Sequence, residues 1–583
     1  MTKTTTERPN RQGYTVHREN AKFVEYYKLQ NILQEKELIE MFRVMKEQLP
    51  ISFRLTKYHL NWTENMVDIA PLPFLSTGYQ TTLDKKQFRV SPLYNFISCE
   101  TQTGGVWRSE TVSMIPPVLL DVKERDIVLD MCAAPGSKTS MLAESLNGTG
   151  LLIANDANIK RASMLIHQLK VISPSNVIFT SHQGQQFPFV YKREQDIIKP
   201  VLFDKILCDV PCTGDGTARK NINIWRKWSP KDALGLHHVQ IKIALRAALL
   251  LKVGGRMVYS TCSMNPIENE AVVYQLLKHY KNKLKIVPCR HLLNSFKSRP
   301  GLNQWTYPTD VVDEVTRESM LPKEDSHLFG LEECIRIYPH DNNTGGFFVC
   351  LIEKIDDCDE VALPRSLETH RMRNKLEIMP SGLFRESFKR ADTYRNHFMQ
   401  TGSQADKRIL EKFPFLENAN KQFSAVSSGG RNRGFFYMTD VCYNVTMHSV
   451  SLNIVNSGCK LLSGLRGSLK TCEDESLEFK EAPRFHDETL KDMMPLLKNY
   501  YDQFVIPIDL LSLQNLMKGL THYKDLAPEF VNIIDKLETS AFILVYKGLH
   551  EMFFAAYKSK ISVILLQDKE DIKATMQRLE QSK

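Results

Sequence analysis

The chain has 583 residues, 42% hydrophobic and 25% charged, with 76 basic side chains against 67 acidic ones and a net charge of +9. That length exceeds what one hydrophobic core serves, so several domains are expected. No apolar run approaches the roughly 20 residues of a membrane-spanning helix, and the polar stretch Met1 to Asn10 lacks the apolar segment of a secretory signal.

In chain order, residues 1–20 read as a loose polar tail. From Phe23 to Gln48 the residues Leu33, Leu38, Ile39, Phe42 and Met45 recur with helical spacing, and ISFRLTKY (51–58) alternates like a short strand. A small N-terminal module is expected over 21–95. The middle then alternates apolar runs with helical stretches: IVLDM (127–131), LLIAND (151–156), VIFT (177–180), FDKILCD (203–209) and GRMVYST (255–261), with Lys231 to Leu251 the longest helical stretch. Such alternation predicts an α/β, Rossmann-like domain over 96–355, a parallel sheet with helices on both faces. Beyond Lys354 the acidic, Pro-containing DDCDEVALPRS opens a linker expected over 356–430. FFYMTDV, AFILVYKGL, FFAAYK and ISVILLQ then predict a β-rich domain over 431–583, closed by a helix from Glu570 to Gln581.

Ligands of open parallel sheets bind beyond the carboxyl ends of the strands. Asp130, Asp156, Asp209 and the pair Thr261-Cys262 all fall at such ends. DMCAAPGSKT (130–139) joins the first strand to a helix through small residues, which let backbone approach a ligand. It is neither a G-x-G-x-x-G nor a Walker A loop, because Ser137 precedes Lys138; a plain tight turn is the competing reading. Asp156 suits ribose hydroxyls or, equally, a helix cap. Cys212, in CDVPCTGDGT (208–217), and Cys262, in YSTCSMNP (259–266), spring from strands expected to be neighbours. A thiolate is a soft nucleophile for an electron-poor ring carbon and needs help to ionise, for which Lys138 is the nearest candidate cation. The twelve cysteines form no paired C-x-x-C ladder, so reduced thiols and no metal are expected.

The strings SMIPPVLLDV (113–122), DMCAAPGSKT, CDVPCTGDGT with RKN (219–221), YSTCSMNPIENEAV (259–272) and NTGGFFV (343–349) occur in order and resemble the Sun-domain RNA cytosine-5 methyltransferases, on the side of the eukaryotic tRNA enzymes. The resemblance covers roughly residues 20–355 and implies S-adenosylmethionine as cofactor and tRNA as substrate. It implies that Cys262 adds to C6 of cytosine, that Cys212 assists product release and that Asp209 faces base and cofactor. Cys132, Ala133, Ala134, Pro135, Gly136, Ser137 and Lys138 would line the cofactor, with Asp156 on its ribose. Where the family usually carries an acid for the adenine, this chain has Gln183, a neutral acceptor. Arg219, Lys220 and Trp225 are candidate RNA contacts, with a basic surface and a packed Trp as the alternative. The N-terminal module is expected to recognise RNA and the C-terminal domain to be PUA-like. A monomer and a nuclear, including nucleolar, location are further expectations of the resemblance. Two rivals stand beside this reading: a DNA cytosine-5 methyltransferase attacking with Cys212, and an RNA-binding scaffold of weak activity, suggested by Gln183.

Overall fold

The computed structural model describes residues 18–57, 68–172, 174–195, 197–306, 319–322 and 324–358, then 413–414 and stretches of 423–581. Most of the tail expected over 1–20 and of the linker expected over 356–430 lies outside them. No described helix is long and apolar enough to cross a membrane.

Helix α1 (Ala21–Gln30) begins where the Asn20 side chain accepts from the Phe23 N–H at 3.1 Å, and α2 (Glu35–Lys46) follows. Strands β1 (Ser52–Leu55), β2 (Ile69–Leu72), β3 (Leu75–Thr81) and β4 (Val106–Arg108) form an antiparallel sheet in the order β2-β3-β1-β4. Helices α3 (Lys85–Val90) and α4 (Pro92–Gln102) precede β4, and Phe88, Leu93, Phe96 and Ile97 pack on Phe53, Leu55 and Val106. Strand β4 lies beyond residue 95, yet it completes this sheet by pairing Arg108 with Phe53.

Helix α5 (Ile115–Leu120) leads into the central sheet. In chain order this sheet and its connections are β5 (Ile127–Asp130), α6 (Ser137–Leu146), β6 (Leu151–Asn155), α7 (Ile159–Leu169), β7 (Val177–Thr180), the hairpin β8 (Val190–Glu194) and β9 (Ile197–Val201), β10 (Phe203–Asp209), α8 (Asn223–Lys227), α9 (Pro230–Leu250), β11 (Leu251–Thr261) and α10 (Glu270–His279). Short strands β12 (Leu284–Ile286), β13 (Arg299–Pro300) and β14 (Ile335–Ile337) precede β15 (Phe347–Lys354). The sheet order is β13-β14-β15-β11-β10-β5-β6-β7, parallel from β11 to β7, with β15 antiparallel to β11. The expected parallel sheet is present, covered on both faces. Successive residues of each inner strand feed opposite cores: Leu129, Leu151, Ile153 and Ile178 join one, Val128, Leu152, Val177 and Phe179 the other. That double burial is why these strands read as continuous apolar runs.

Strands β16 (Phe423–Ser428) and β17 (Asn432–Tyr437) pair with each other, and β18 (Ile454–Ser457) adds antiparallel to β7. Residues placed by sequence in the C-terminal domain thus extend the central sheet. A separate sheet contains Ala541–Lys547, Glu551–Lys558 and Ser562–Leu565, so the C-terminal region is β-rich as expected. The last helix, Lys569–Gln581, returns to α4, where Arg578 pairs with buried Glu100 at 2.8 Å.

On the far side of β15, Arg336 of β14 forms a two-pronged ion pair with Glu270 at the start of α10, both fully buried. Removing one partner strands the other charge in the core. Glu270→Ala is therefore expected to lower stability by about 3–5 kcal/mol, read from the shift of a urea unfolding curve.

Candidate active site

The site is assembled by loops at the carboxyl ends of β5, β10 and β11. They line a cleft of about 1450 Å³ together with the N-terminal module. That exceeds what one small ligand fills, typically about 300–1,000 Å³. After Asp130 the chain crosses to α6 through Cys132, Ala133, Ala134, Pro135 and Gly136, tied to β6 by Ala133 N–H donating to the Asn155 carbonyl at 2.8 Å. Gly136 has φ +117°, and a Cβ there would lie 2.8 Å from Leu165 Cδ1, so glycine alone lets α6 start against α7. Burial pushes the Asp130 carboxyl up to about 7. Thr139 donates to Asp130 Oδ2 at 2.8 Å, while buried Oδ1 has no hydrogen-bond partner among the described residues. Burial likewise raises the Cys132 thiol.

Lys138, in the first turn of α6, points across the cleft. Its Nζ meets Asp209 Oδ2 at 2.7 Å and donates to Ser113 Oγ at 2.9 Å; Ser260 Oγ donates to Asp209 Oδ1 at 2.8 Å. Burial by itself would pull the Lys138 ammonium down, but Asp209 beside it, with Cys262 and Asp130 adding, lifts it above its ordinary range. The cation that sequence nominated lines the cleft, paired with Asp209.

The two thiols meet: Cys212 Sγ and Cys262 Sγ are 3.3 Å apart. Their turns approach through backbone. Gly216 N–H donates to the Cys262 carbonyl at 3.0 Å, and Gly346 N–H to the Gly216 carbonyl at 2.9 Å. A Cβ on Gly216 would stand 2.3 Å from Gly346 O, so no side chain fits there. The hydrogen bond that the Cys212 thiol donates to Cys262, then burial, then the charges of Cys262, Glu268 and Asp209 hold that thiol well above its ordinary value.

Under these turns lie acids that sequence reasoning missed. Glu268 is fully buried and accepts from Thr213, Ser263 and Gln240. Asp215 accepts from Met264 N–H at 2.7 Å and from the Tyr27 hydroxyl. Tyr27, with Phe23, Tyr26 and Phe42 of α1 and α2, packs on Trp225 and Trp228, and the Phe23 and Trp228 ring centroids are 4.7 Å apart. Glu110, beside Lys138 and Lys220 on the cleft wall, is raised by burial. In sequence each of these acids reads as an ordinary solvated charge; the Glu in NPIENE gave its only signal by following the Cys262 turn.

Cys132, Ala133, Ala134, Pro135, Ser137, Lys138, Asp209 and Cys262 all line the cleft. Cys212 joins them through its contact with Cys262. Asp156 is buried at the end of β6, where Asn158 N–H donates to Oδ1 at 2.9 Å and Arg161 stands 3.2 Å from Oδ2. Gln183 is exposed on a short 3-10 turn and accepts from Gln185 at 3.0 Å, outside the cleft lining. Two candidate RNA contacts need correction. Trp225 is buried in the aromatic cluster, its indole N–H donating to Ala218 O at 3.0 Å. Arg219 is 3% exposed and spends its guanidinium on the carbonyls of Thr344 and Gln48 and on Asn343. The packed-Trp reading applies to the first, and the second staples the N-terminal module to the loop entering β15. Lys220 is exposed on the cleft rim.

A family model described as 16S rRNA methyltransferase RsmB/F matches residues 117–353. A Pyrococcus abyssi protein named tRNA (cytosine(49)-C(5))-methyltransferase is 35% identical over 255 residues, 44% of this chain and 72% of that protein. The chain belongs to the RsmB/F methyltransferase family. This RsmB/F chain is also 40% identical over 397 residues to a Drosophila melanogaster tRNA (cytosine(34)-C(5))-methyltransferase, covering 58% of the chain and 53% of the relative. It is 37% identical over 404 residues to a Saccharomyces cerevisiae multisite-specific tRNA:(cytosine-C(5))-methyltransferase, covering 61% and 59%. It thus spans a little over half the length of these two relatives.

Asp215 gives a pH test of the buried floor. Burial first, then the charge of Glu268, moves its carboxyl from 3.8 up to about 7. A raised carboxyl takes up a proton on folding, so its stabilisation is complete below about pH 4 and lost as pH rises through about 7. Asp215→Asn removes this dependence and can keep both hydrogen bonds. Urea unfolding at pH 5 and pH 8 is expected to show a larger drop for the wild type than for the variant, by an amount on the order of a few kcal/mol. Asp130, shifted in the same sense, leaves the variant a residual slope.

Proposed function

We propose that this chain methylates carbon 5 of cytosine in tRNA, with S-adenosylmethionine as methyl donor, Cys262 as nucleophile and Cys212 serving release. The observation that carries this reading is the pair of thiols 3.3 Å apart, with Cys262 lining one cleft together with the Lys138–Asp209 ion pair. The relatives' names point to the same chemistry and to tRNA.

The cofactor fits the floor that the residues build. Cys132 to Pro135 and Ser137 offer a close backbone approach, Asp209 offers negative charge, and Asp130 offers a buried oxygen lacking a partner among the described residues. When bound, S-adenosylmethionine supplies an electrophilic methyl group on a positively charged sulfur. Asp156 would take the ribose, with the half-exposed Arg161 turned aside.

Carbon 5 of cytosine is a poor nucleophile. Addition of the Cys262 thiolate at C6 turns C5 into an enamine-type carbon and divides one hard step into easier ones. Lys138 offsets the negative charge of the thiolate and holds Asp209 against the base, where a carboxylate accepts from the exocyclic amine. After methylation the C5 proton passes to solvent water, its bonding pair restores the C5–C6 double bond, and the C6–S electron pair leaves on the Cys262 sulfur as thiolate. The Cys212 thiol donates its hydrogen bond to that departing sulfur. Cys262→Ala should abolish methyl transfer to tRNA and leave no protein–RNA adduct, whereas Cys212→Ala should accumulate the adduct, both read on denaturing gels with labelled tRNA. The reverse pattern would favour the DNA-type mechanism through Cys212. RNA binding by the wild type without transfer would favour the scaffold.

A reacting base must leave its stack, so the cleft mouth has to hold the strand on either side. Lys85, Lys86, Arg108 and Lys220 line that mouth, are exposed and make no ion pair or side-chain hydrogen bond among the described residues. Phosphates are their natural partners. Each phosphate contact adds about 0.7 to the slope of log affinity against log salt for a single strand. Replacing all four by Ala should flatten the measured slope by up to about 3. Replacing Lys252 and Lys285, paired with Asp204 and Glu353 at the opposite end of the sheet, should leave it unchanged.

A further inference from the structure

Two cysteines lying together must share the work unequally, because only one can be the thiolate that attacks. The feature that tells them apart lies beneath them. Glu268 Oε1 accepts from Thr213 N–H at 2.9 Å and from Gln240 Nε2 at 3.1 Å; Oε2 accepts from Thr213 Oγ1 at 2.5 Å and from Ser263 Oγ at 2.6 Å. Thr213 directly follows Cys212, and Ser263 directly follows Cys262. Gln240, from α9, donates as well to the carbonyl of Pro211 at 2.9 Å, on the other side of Cys212. One buried carboxylate therefore holds both cysteine turns.

We propose that Glu268 is the positioning residue of the dithiol: its carboxylate, tied to the residue after each cysteine, sets the separation of the two sulfurs and reserves the thiolate for Cys262. The first half rests on the four hydrogen bonds. The Thr213 N–H can only donate, so the oxygen facing it must accept, and four donors converging on one side chain favour its ionised form. The second half rests on where charge stands. The groups facing the cysteines are Glu268, Asp209, Tyr259 and Lys138, with Asp215 and Tyr27 behind Glu268. Lys138 is the cation among them, and it interacts with Cys262. A thiolate on Cys212 would face Glu268 and Asp209, two negative charges; one on Cys262 has Lys138. Of the two buried acids, Asp215 has fewer donors and is pushed up partly by Glu268, which assigns the charge to Glu268. Burial raises the Glu268 carboxyl as well, while Ser263, Thr213 and Gln240 pull it back.

The reading of Cys262 as nucleophile gives this arrangement its purpose, but the test needs no RNA. The reduced full-length chain is treated with iodoacetamide from pH 6 to pH 10, and each cysteine peptide is followed by mass spectrometry. In the wild type Cys262 should react first at neutral pH and Cys212 only at high pH. Glu268→Gln keeps the shape and, with the two hydroxyls turned to accept, the hydrogen bonds; it removes the charge. Its half-alkylation pH for Cys212 should fall by about one, a gain of about tenfold in rate at pH 7, and kcat for methylation should fall while KM for RNA holds. Glu268→Asp keeps the charge and should keep the Cys262-first order. Unchanged Cys212 reactivity in Glu268→Gln overturns the proposal, and so does a wild type in which Cys212 reacts first or equally. Should Glu268→Gln fail to fold, the wild-type order and Glu268→Asp decide. The expected alkylation pattern without methylation of any tRNA would sink the assigned function and leave the role of Glu268 standing.

Discussion

The site depends on one constraint, the parallel pairing of β10 with β11, which sets Asp209 directly beside Ser260. Neighbouring strands lie about 4.8 Å apart, so the turns leaving their ends are side by side before any side chain acts. Cys212 sits three residues beyond Asp209 and Cys262 two beyond Ser260, and their sulfurs meet. Gly216 then bonds back to the Cys262 carbonyl, and Gly346, in the loop entering β15, bonds onto Gly216 at backbone distance. The dithiol is a product of sheet register plus glycine, held by hydrogen bonds between rigid elements rather than by a flexible lid.

Charge is distributed with the same economy. Asp130, Asp209, Asp215 and Glu268 crowd the floor, and Lys138 stands among them in contact with Asp209. In a poorly solvated site such crowding forces some carboxyls to hold protons and gives the lysine a reason to stay charged. The unpaired cations lie farther out, on the rim. Under the proposed function, a positively charged methyl donor and an anionic strand would meet surfaces of the right sign at different depths of one cleft.

Much of this was legible from the residues. Strands buried on both faces appear as apolar runs that stop abruptly, so Asp130, Asp209 and Cys262 could be placed at strand ends without coordinates. Other features depend on contacts distant in sequence. Phe23, Tyr26 and Tyr27 pack on Trp225 and Trp228 some two hundred positions away, and no local pattern separates that Trp from one offered to RNA. Arg219 looks like a free basic residue until its carbonyl partners at Gln48 and Thr344 are seen. Glu268 and Asp215 carry charge in polar segments, and an acid there ordinarily faces water. Strand β18 has only four residues, two of them polar, so the extension of the central sheet past β7 had no periodic signal.

The central claim is that Cys262 attacks the base while Cys212 stands by as a thiol. Its most direct test replaces the target cytosine by 5-fluorocytosine, whose C5 has no proton to lose, so that the covalent intermediate is trapped. Digestion and mass spectrometry then locate the nucleotide on the protein. The account predicts a methylated fluorinated nucleotide on the peptide containing Cys262 and none on the peptide containing Cys212. A nucleotide on Cys212, or turnover that leaves no trapped adduct, would contradict it.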